Sequence, residues 1–165
     1  MPTETRDGFT LFWRPDSPFS QWYPCAFTVD GVGFGCAEQF MMHGKAVLFG
    51  DGAIAAEILA SPDPRQHKAL GRKVRGFDEH RWRKAREAIV ATGNRAKFTQ
   101  DDALRAALLA TAGTTLVEAS PLDRIWGIGL AAGSPDATVP ARWRGQNLLG
   151  HILTRLRDEL MAAAA

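Results

Sequence analysis

The sequence predicts an α+β fold, a mainly helical single domain over residues 1–165 with a small antiparallel sheet. Three observations carry the prediction. The first third of the chain alternates in short apolar runs around turn residues, as in "CAFTVDGVGFGC". From Ala37 onward, apolar residues recur at helical spacing and are punctuated by Asp, Gly and Pro. A chain of 165 residues, 45% hydrophobic and 23% charged, has the size and composition of one ordinary globular domain.

The elements follow in order. "GFTLFW" reads as a short strand. "RPDSPFSQWYP" carries Pro15, Pro18 and Pro24 and is a loop. "CAFTVDGVGFGC" alternates around Asp30-Gly31, the signature of a tight hairpin. "AEQFMMHGKAVLFGD", Ala37 to Asp51, is a helix. Glu38, Met42, Lys45 and Phe49 fall on one line of that helix, next to an apolar line through Ala37, Met41, Gly44 and Leu48. The solvent face then lies around Gln39 and His43. "GAIAAEILAS" is a helix that stops before Pro62, and the region of Asp63 starts another, "PRQHKALGRKVR", interrupted by Gly71. Asp78 caps "EHRWRKAREAIVATGNRAKF". Asp101 and Asp102 begin "ALRAALLATA", which Gly113 closes. "TTLVEAS" is a strand, and "RIWGIGLAAG" is a short strand or a loop. "WRGQNLLGHILTRLRDELM" is an amphipathic helix with Leu149, Ile152, Leu153, Leu156 and Leu160 on one face.

Several function classes are disfavoured. A net charge of +2 offers no global electrostatic case for nucleic acid or membrane. The 2 cysteines, Cys25 and Cys36, have no metal spacing and read as thiols of a reducing cytoplasm. The first residues lack the apolar core of a signal peptide, and no stretch reaches transmembrane length, so a cytoplasmic location is expected. There is no P-loop and no dinucleotide fingerprint; "GVGFG" lies inside the hairpin. The 4 histidines, His43, His67, His80 and His151, are scattered and read as surface residues. No nucleophile elbow occurs, and neither a metal nor a cofactor is expected.

Three features remain. A Glu and a Lys two turns apart on the dry side of a helix form either an ion pair at the edge of a core or part of an active site. Trp22, Trp126 and Trp143 lie in irregular, glycine-flanked segments, where an indole can plug a loop or stack on a flat ring. Asp123, Gln146 and Asn147 accompany them, a mixture that suits a polar and aromatic pocket. Lys68, Arg72, Lys73 and Arg75 form a basic cluster, either a solvated helix face or a phosphate contact.

The segments "SQWYP", "FTVDGVGFGCAEQFMMHGKAVLFGD", "KALGRKVRGFD", "LLATAGTTLVEASPLDRIWGIGL" and "WRGQNLLGHIL", in this order, resemble the NADAR superfamily, the YbiA-like proteins. The resemblance runs from about Leu11 to Leu160. It implies an N-glycosidase that cleaves between a base-like nitrogen and the anomeric carbon of a phosphorylated ribose. The substrate classes it implies are early riboflavin-pathway intermediates or ADP-ribose attached to a nucleobase. On this resemblance Glu38, Lys45 and Asp123 are the catalytic candidates. Arg14, Ser20, Trp22, Trp126, Gly127, Ile128, Trp143 and Asn147 are the substrate-binding candidates. Two positions depart from the family pattern: Gln21 stands where Asn is usual, and Gly44 where Gln is often found.

The expected partner is a small-molecule ribose phosphate or ADP-ribose, or, alternatively, ADP-ribosylated nucleic acid; no membrane partner is expected, and the oligomeric state is left open. A non-catalytic ADP-ribose-binding module is the alternative of a different class. Such a module would keep the Trp126 loop without needing both charges of the helix.

Overall fold

The computed structural model describes residues 3–165. They form two compact units. One combines residues up to Ser20 with Asp102–Ala165, and the other is Gln21–Asp101.

The first unit contains β1 (Thr3–Arg6), β2 (Phe9–Phe12), α5 (Asp102–Leu109), β5 (Thr115–Glu118) and α6 (Leu148–Ala164). Its sheet has the order β1-β2-β5. β1 and β2 pair antiparallel through Asp7 and Gly8, whose φ angles of 51° and 81° make the left-handed two-residue turn that Asp-Gly favours. β1 is a strand that the polar sequence "TETR" does not announce; charged residues are common on such edges. β2 and β5 pair in parallel, with Leu11 opposite Val117, so only part of the sheet matches the antiparallel expectation. Leu11, Phe12, Leu116 and Val117 are enclosed in this unit, together with Leu149, Ile152, Leu153, Leu156 and Leu160 of α6. The predicted apolar stripe of α6 is therefore its buried face. The helix begins later than the sequence predicts, because Asn147 takes a left-handed conformation at φ 52° that ends the preceding extended segment.

The second unit contains β3 (Phe27–Val29), β4 (Val32–Phe34), α1 (Ala37–Leu48), α2 (Gly52–Ala60), α3 (Pro64–Gly71) and α4 (Glu79–Thr99). The predicted hairpin is present, with Asp30 at φ 50° and Gly31 at φ 79°. Phe27, Phe34 and Phe40 pack against one another, with ring centroids 5.0–6.2 Å apart. α1 packs against α2, α3 and α4 and is the centre of the unit.

α1 ends at Leu48 rather than Asp51. The Asp51 carboxylate instead caps α2, accepting from Ile54 N–H, and also accepts from the Arg75 backbone N–H at 2.9 Å. Asp63 and Asp78 cap α3 and α4.

Two polar residues depart from the predicted surface. Gln39, placed by sequence on the solvent face, is 5% exposed. Its carboxamide accepts from Gly35 N–H and donates to the Ile58 and Ser61 carbonyls, joining α1 to the C-terminal end of α2. His67, read as a surface histidine, is 1% exposed. Its Nε2 faces the Ser61 carbonyl and must donate, which leaves Nδ1 to face Cys36 Sγ at 3.6 Å. Burial pushes the Cys36 thiol up to about 11, so it holds its proton and can donate to that nitrogen.

Candidate functional site

The α1 helix positions two of the sequence candidates. Cys36 is its N-cap, with Sγ accepting from Gln39 N–H at 3.4 Å. Glu38 sits in the first turn, where the helix dipole complements a negative charge. It is only 5% exposed. Its own N–H donates to the Gln21 carbonyl at 2.9 Å.

Lys45 lies two turns further on. Its Nζ is 4.7 Å from the Phe77 ring centroid and 5.6 Å from that of Trp82. Burial is the largest influence on this amine and lowers its pKa. Glu79 opposes, Arg72 adds to the lowering, and Glu38 opposes least. Desolvation thus outweighs the carboxylates, and neutral amine forms at a lower pH than for a free lysine.

The buried stripe of α4 holds a lysine that did not figure among the sequence candidates. Trp82, Arg86, Val90, Asn94, Lys97 and Phe98 share this stripe. Lys97 is 1% exposed, with Nζ 5.6 Å from the Tyr23 ring and 4.9 Å from that of Phe98. Burial pushes its pKa down to about 8, against the opposing pull of Cys25 and Cys36. The three- and four-residue spacing that singled out Glu38 and Lys45 also applies here.

In the first unit, the segments "DRIWGIG" and "WRGQN" form one double loop. Arg144, Gln146, Asn147, Leu148 and Leu149 donate their N–H groups to the carbonyls of Ile128, Arg124, Gly127, Ile125 and Trp126, at 2.8–3.2 Å. Gly145 permits the approach, since a Cβ there would meet the Arg124 Cα at 2.8 Å. Asp123 organises the turn, its Oδ1 accepting from the N–H groups of Ile125 and Trp126 at 2.9 Å each. Trp126 is partly buried on this loop.

Gly127 has no room for a side chain, because a Cβ would meet the Glu118 carbonyl at 2.9 Å. The Ile128 side chain belongs to the core with Leu11 and Val117. Trp143 packs on the edge of that core, its indole N–H donating to the Ala137 carbonyl at 2.9 Å. Asn147 is 0% exposed; it accepts from Glu118 N–H and donates to the Leu116 carbonyl, both at 3.0 Å. Ile128 and Asn147 thus support the loop from beneath.

The remaining candidates lie in loops. Arg14 is exposed and Ser20 partly buried, in a loop of the first unit held by Phe12 against Phe19 at 5.7 Å. Trp22 is partly buried and belongs to the second unit, as do Glu38 and Lys45. Among the described residues, no group of three or more His, Cys, Asp or Glu is arranged to hold a metal ion.

Lys68, Arg72, Lys73 and Arg75 are all exposed. Arg75 pairs with Asp51 at 3.3 Å. Beside them, Phe77 is 44% exposed and stands edge-on to Phe49 at 5.4 Å, with the Arg81 guanidinium 5.3 Å from the Phe49 ring. Among the described residues no helix is long and apolar enough to cross a membrane.

Comparisons with known proteins bear on these arrangements. A family model described as the NADAR domain matches residues 11–161, a span that takes in residues of both units. An N-glycosidase of Acanthamoeba polyphaga mimivirus is 44% identical over 146 residues, which cover 86% of this chain and 86% of that protein. The N-glycosidase YbiA of Escherichia coli (strain K12) is 31% identical over 142 residues, 86% of this chain and 80% of that protein. A riboflavin biosynthesis protein of Vibrio vulnificus is 31% identical over 156 residues, 93% of this chain but 39% of that protein. The solution structure of the Escherichia coli protein YbiA matches with a TM-score of 0.79 at 27% identity, covering 99% of this chain and 91% of that one.

Proposed function

The chain belongs to the NADAR domain family, and from that membership we propose that it is an N-glycosidase acting on a ribosylamine phosphate, with Glu38 and Lys45 as catalytic residues and Asp123 as a second carboxylate. The observation that carries this reading is the enclosed Glu38 carboxylate at the start of α1, with a desolvated lysine two turns along the same helix. Cleavage breaks the bond between C1′ and the base nitrogen, and the electron pair leaves with that nitrogen. Positive charge develops on C1′ and the ring oxygen. Glu38 stabilises it by its own charge. Water attacks C1′ and gives up a proton to a carboxylate, and the leaving nitrogen gains one.

Lys45 allows a covalent variant. Its neutral amine forms a bond to C1′ as the glycosidic bond breaks, the ring opens to a protonated Schiff base, and water hydrolyses this to the free sugar and amine. Trp126 is the platform for the base or ribose, stacked on its partly buried indole. Arg14, Ser20, Trp22, Gly127 and Trp143 complete the binding set, and Ile128 and Asn147 support the loop that carries Trp126.

A second reading has its own observation. The exposed Phe77, its neighbour Phe49 and the Arg81 guanidinium interleave rings and charge beside Lys45, and Arg72 and Arg75, a few residues before Phe77, are also exposed. Such a surface suits stacked bases and phosphates and favours ADP-ribose on a nucleobase within a nucleic acid as the substrate. Incubation with a riboflavin-pathway ribosylamine phosphate and, in parallel, with an ADP-ribosylated guanine oligonucleotide separates the two. Release of ribose phosphate supports the first reading and release of ADP-ribose the second. No release from either overturns the N-glycosidase assignment.

A further inference from the structure

We propose that Gln21 is a positioning residue for Glu38, and that it acts through a buried amide pair with Asn94 of α4. This rests on the catalytic reading of Glu38 and extends it to how the carboxylate is held. The second N–H of a helix has no partner within the helix and has to find one outside it, in a capping side chain, another part of the chain or water. Here the N–H of Glu38 donates to the Gln21 carbonyl at 2.9 Å. The side chain of Gln21 is fixed in turn. Its Nε2 donates to Asn94 Oδ1 at 3.0 Å, and Asn94 Nδ2 donates back to Gln21 Oε1 at 3.0 Å. The second N–H of the Asn94 amide donates to the Val90 carbonyl at 2.8 Å, which sets its orientation.

Gln21 is 9% exposed and Asn94 0%, so water has little room to replace a lost partner. The chain of bonds therefore runs from the backbone of α4, through two side chains and one backbone carbonyl, to the residue that carries the carboxylate. Length matters in this chain. Gln21→Asn withdraws the amide by one carbon–carbon bond, about 1.5 Å. The reciprocal pair and the bond to Glu38 cannot then both keep their lengths. A displacement of that size at a charge-stabilising group is enough to slow the chemical step while substrate still binds.

The test compares the wild-type protein with Gln21→Asn, with Glu38→Gln, and with the double swap of Gln21→Asn and Asn94→Gln, which restores the summed side-chain length. Turnover is measured on the active substrate class identified above. Gln21→Asn is expected to lower kcat about ten- to hundredfold with KM within about threefold, and the swap to recover most of that loss. Amide hydrogen exchange of the wild-type protein supplies a readout that needs no variant to fold. The Glu38 N–H is expected to be protected at least about a hundredfold despite its place in the first turn.

A Glu38 amide that exchanges like an open loop overturns the proposal whatever the variants do. Full kcat in Gln21→Asn beside an inactive Glu38→Gln overturns the positioning role and leaves the N-glycosidase reading standing. Full activity in Glu38→Gln overturns the catalytic reading of Glu38, and the positioning role falls with it.

Discussion

Glu38 and Lys45 differ in what their surroundings do to them. Glu38 is enclosed at the positive end of α1, so its charge has a fixed complement. Glu38→Gln keeps the shape and the N–H bond to Gln21, removes the charge and turns one acceptor oxygen into an amide donor. It is expected to fold as the wild type and to lose about two to four orders of magnitude in turnover. A circular dichroism melt beside a single-turnover assay checks both halves of that statement, and a near wild-type rate removes Glu38 from the mechanism.

Lys45 is governed by burial under Phe77 and Trp82, which lowers its pKa. The neutral amine is the nucleophile, so its share rises with pH and does so earlier than for a free lysine. Borohydride added during turnover is expected to trap a ribose adduct on Lys45, in a yield that grows as pH is raised. Peptide mass spectrometry distinguishes this lysine from Lys97. An adduct-free protein, with Lys45→Arg retaining most activity, reduces Lys45 to an electrostatic clamp.

At the scale of elements, caps and loops carry the energetics. The Asp51 carboxylate caps α2 and holds the backbone and guanidinium of Arg75. The bonds from the Arg75 backbone N–H and side chain, then that from Ile54 N–H, hold its pKa down at about 2, below the ordinary aspartate value of about 3.9. A depressed folded-state pKa means that the contribution to stability is complete above about pH 4 and is lost as pH falls through about 2. The urea midpoint of the wild type is expected to fall over that window, and that of Asp51→Asn to start lower and change less. Equal slopes for the two proteins refute the assignment.

The double loop depends in the same way on Asn147, whose amide satisfies the backbone of Leu116 and Glu118 on β5. Asn147→Ala leaves a buried donor and a buried acceptor without it. The expected loss of stability is about 2–4 kcal/mol, measured by denaturant titration.

At the scale of the molecule, charge decides between substrate classes. A net charge of +2 is small, so sustained attraction to nucleic acid has to come from the local face around Arg72, Arg75 and Arg81. If a ribosylamine phosphate is the substrate, binding involves roughly one phosphate. The logarithm of affinity then falls with the logarithm of salt at a slope no steeper than about −1. A steep slope for single-stranded DNA, reduced by Arg81→Ala, would move the assignment to the nucleobase reading.

What the sequence determined by itself was local. Asp30-Gly31 specifies a left-handed turn, Pro62 halts α2, Asp63 and Asp78 cap the helices behind them, and the leucine stripe of α6 is its buried face. Each of these depends on residues within a few positions of one another, so pattern and chemistry are read together. Asp7-Gly8 makes the same left-handed turn as Asp30-Gly31, but β1 before it is polar and short and was not read as a strand. The motifs around Glu38, Lys45 and Trp126 were likewise visible as charges and rings in unusual places.

Only the tertiary structure decided which partners those residues meet. The parallel pairing of β2 with β5, the ladder between the Trp126 and Asn147 segments, and the burial of Gln39 and His67 all join parts of the chain that no local period relates. A carboxamide, an imidazole or an amine reads as solvent-facing until the groups that satisfy or enclose it are known. Those groups are brought by chain folding over long separations, which is why the same side chain can be surface in the sequence and interior in the fold.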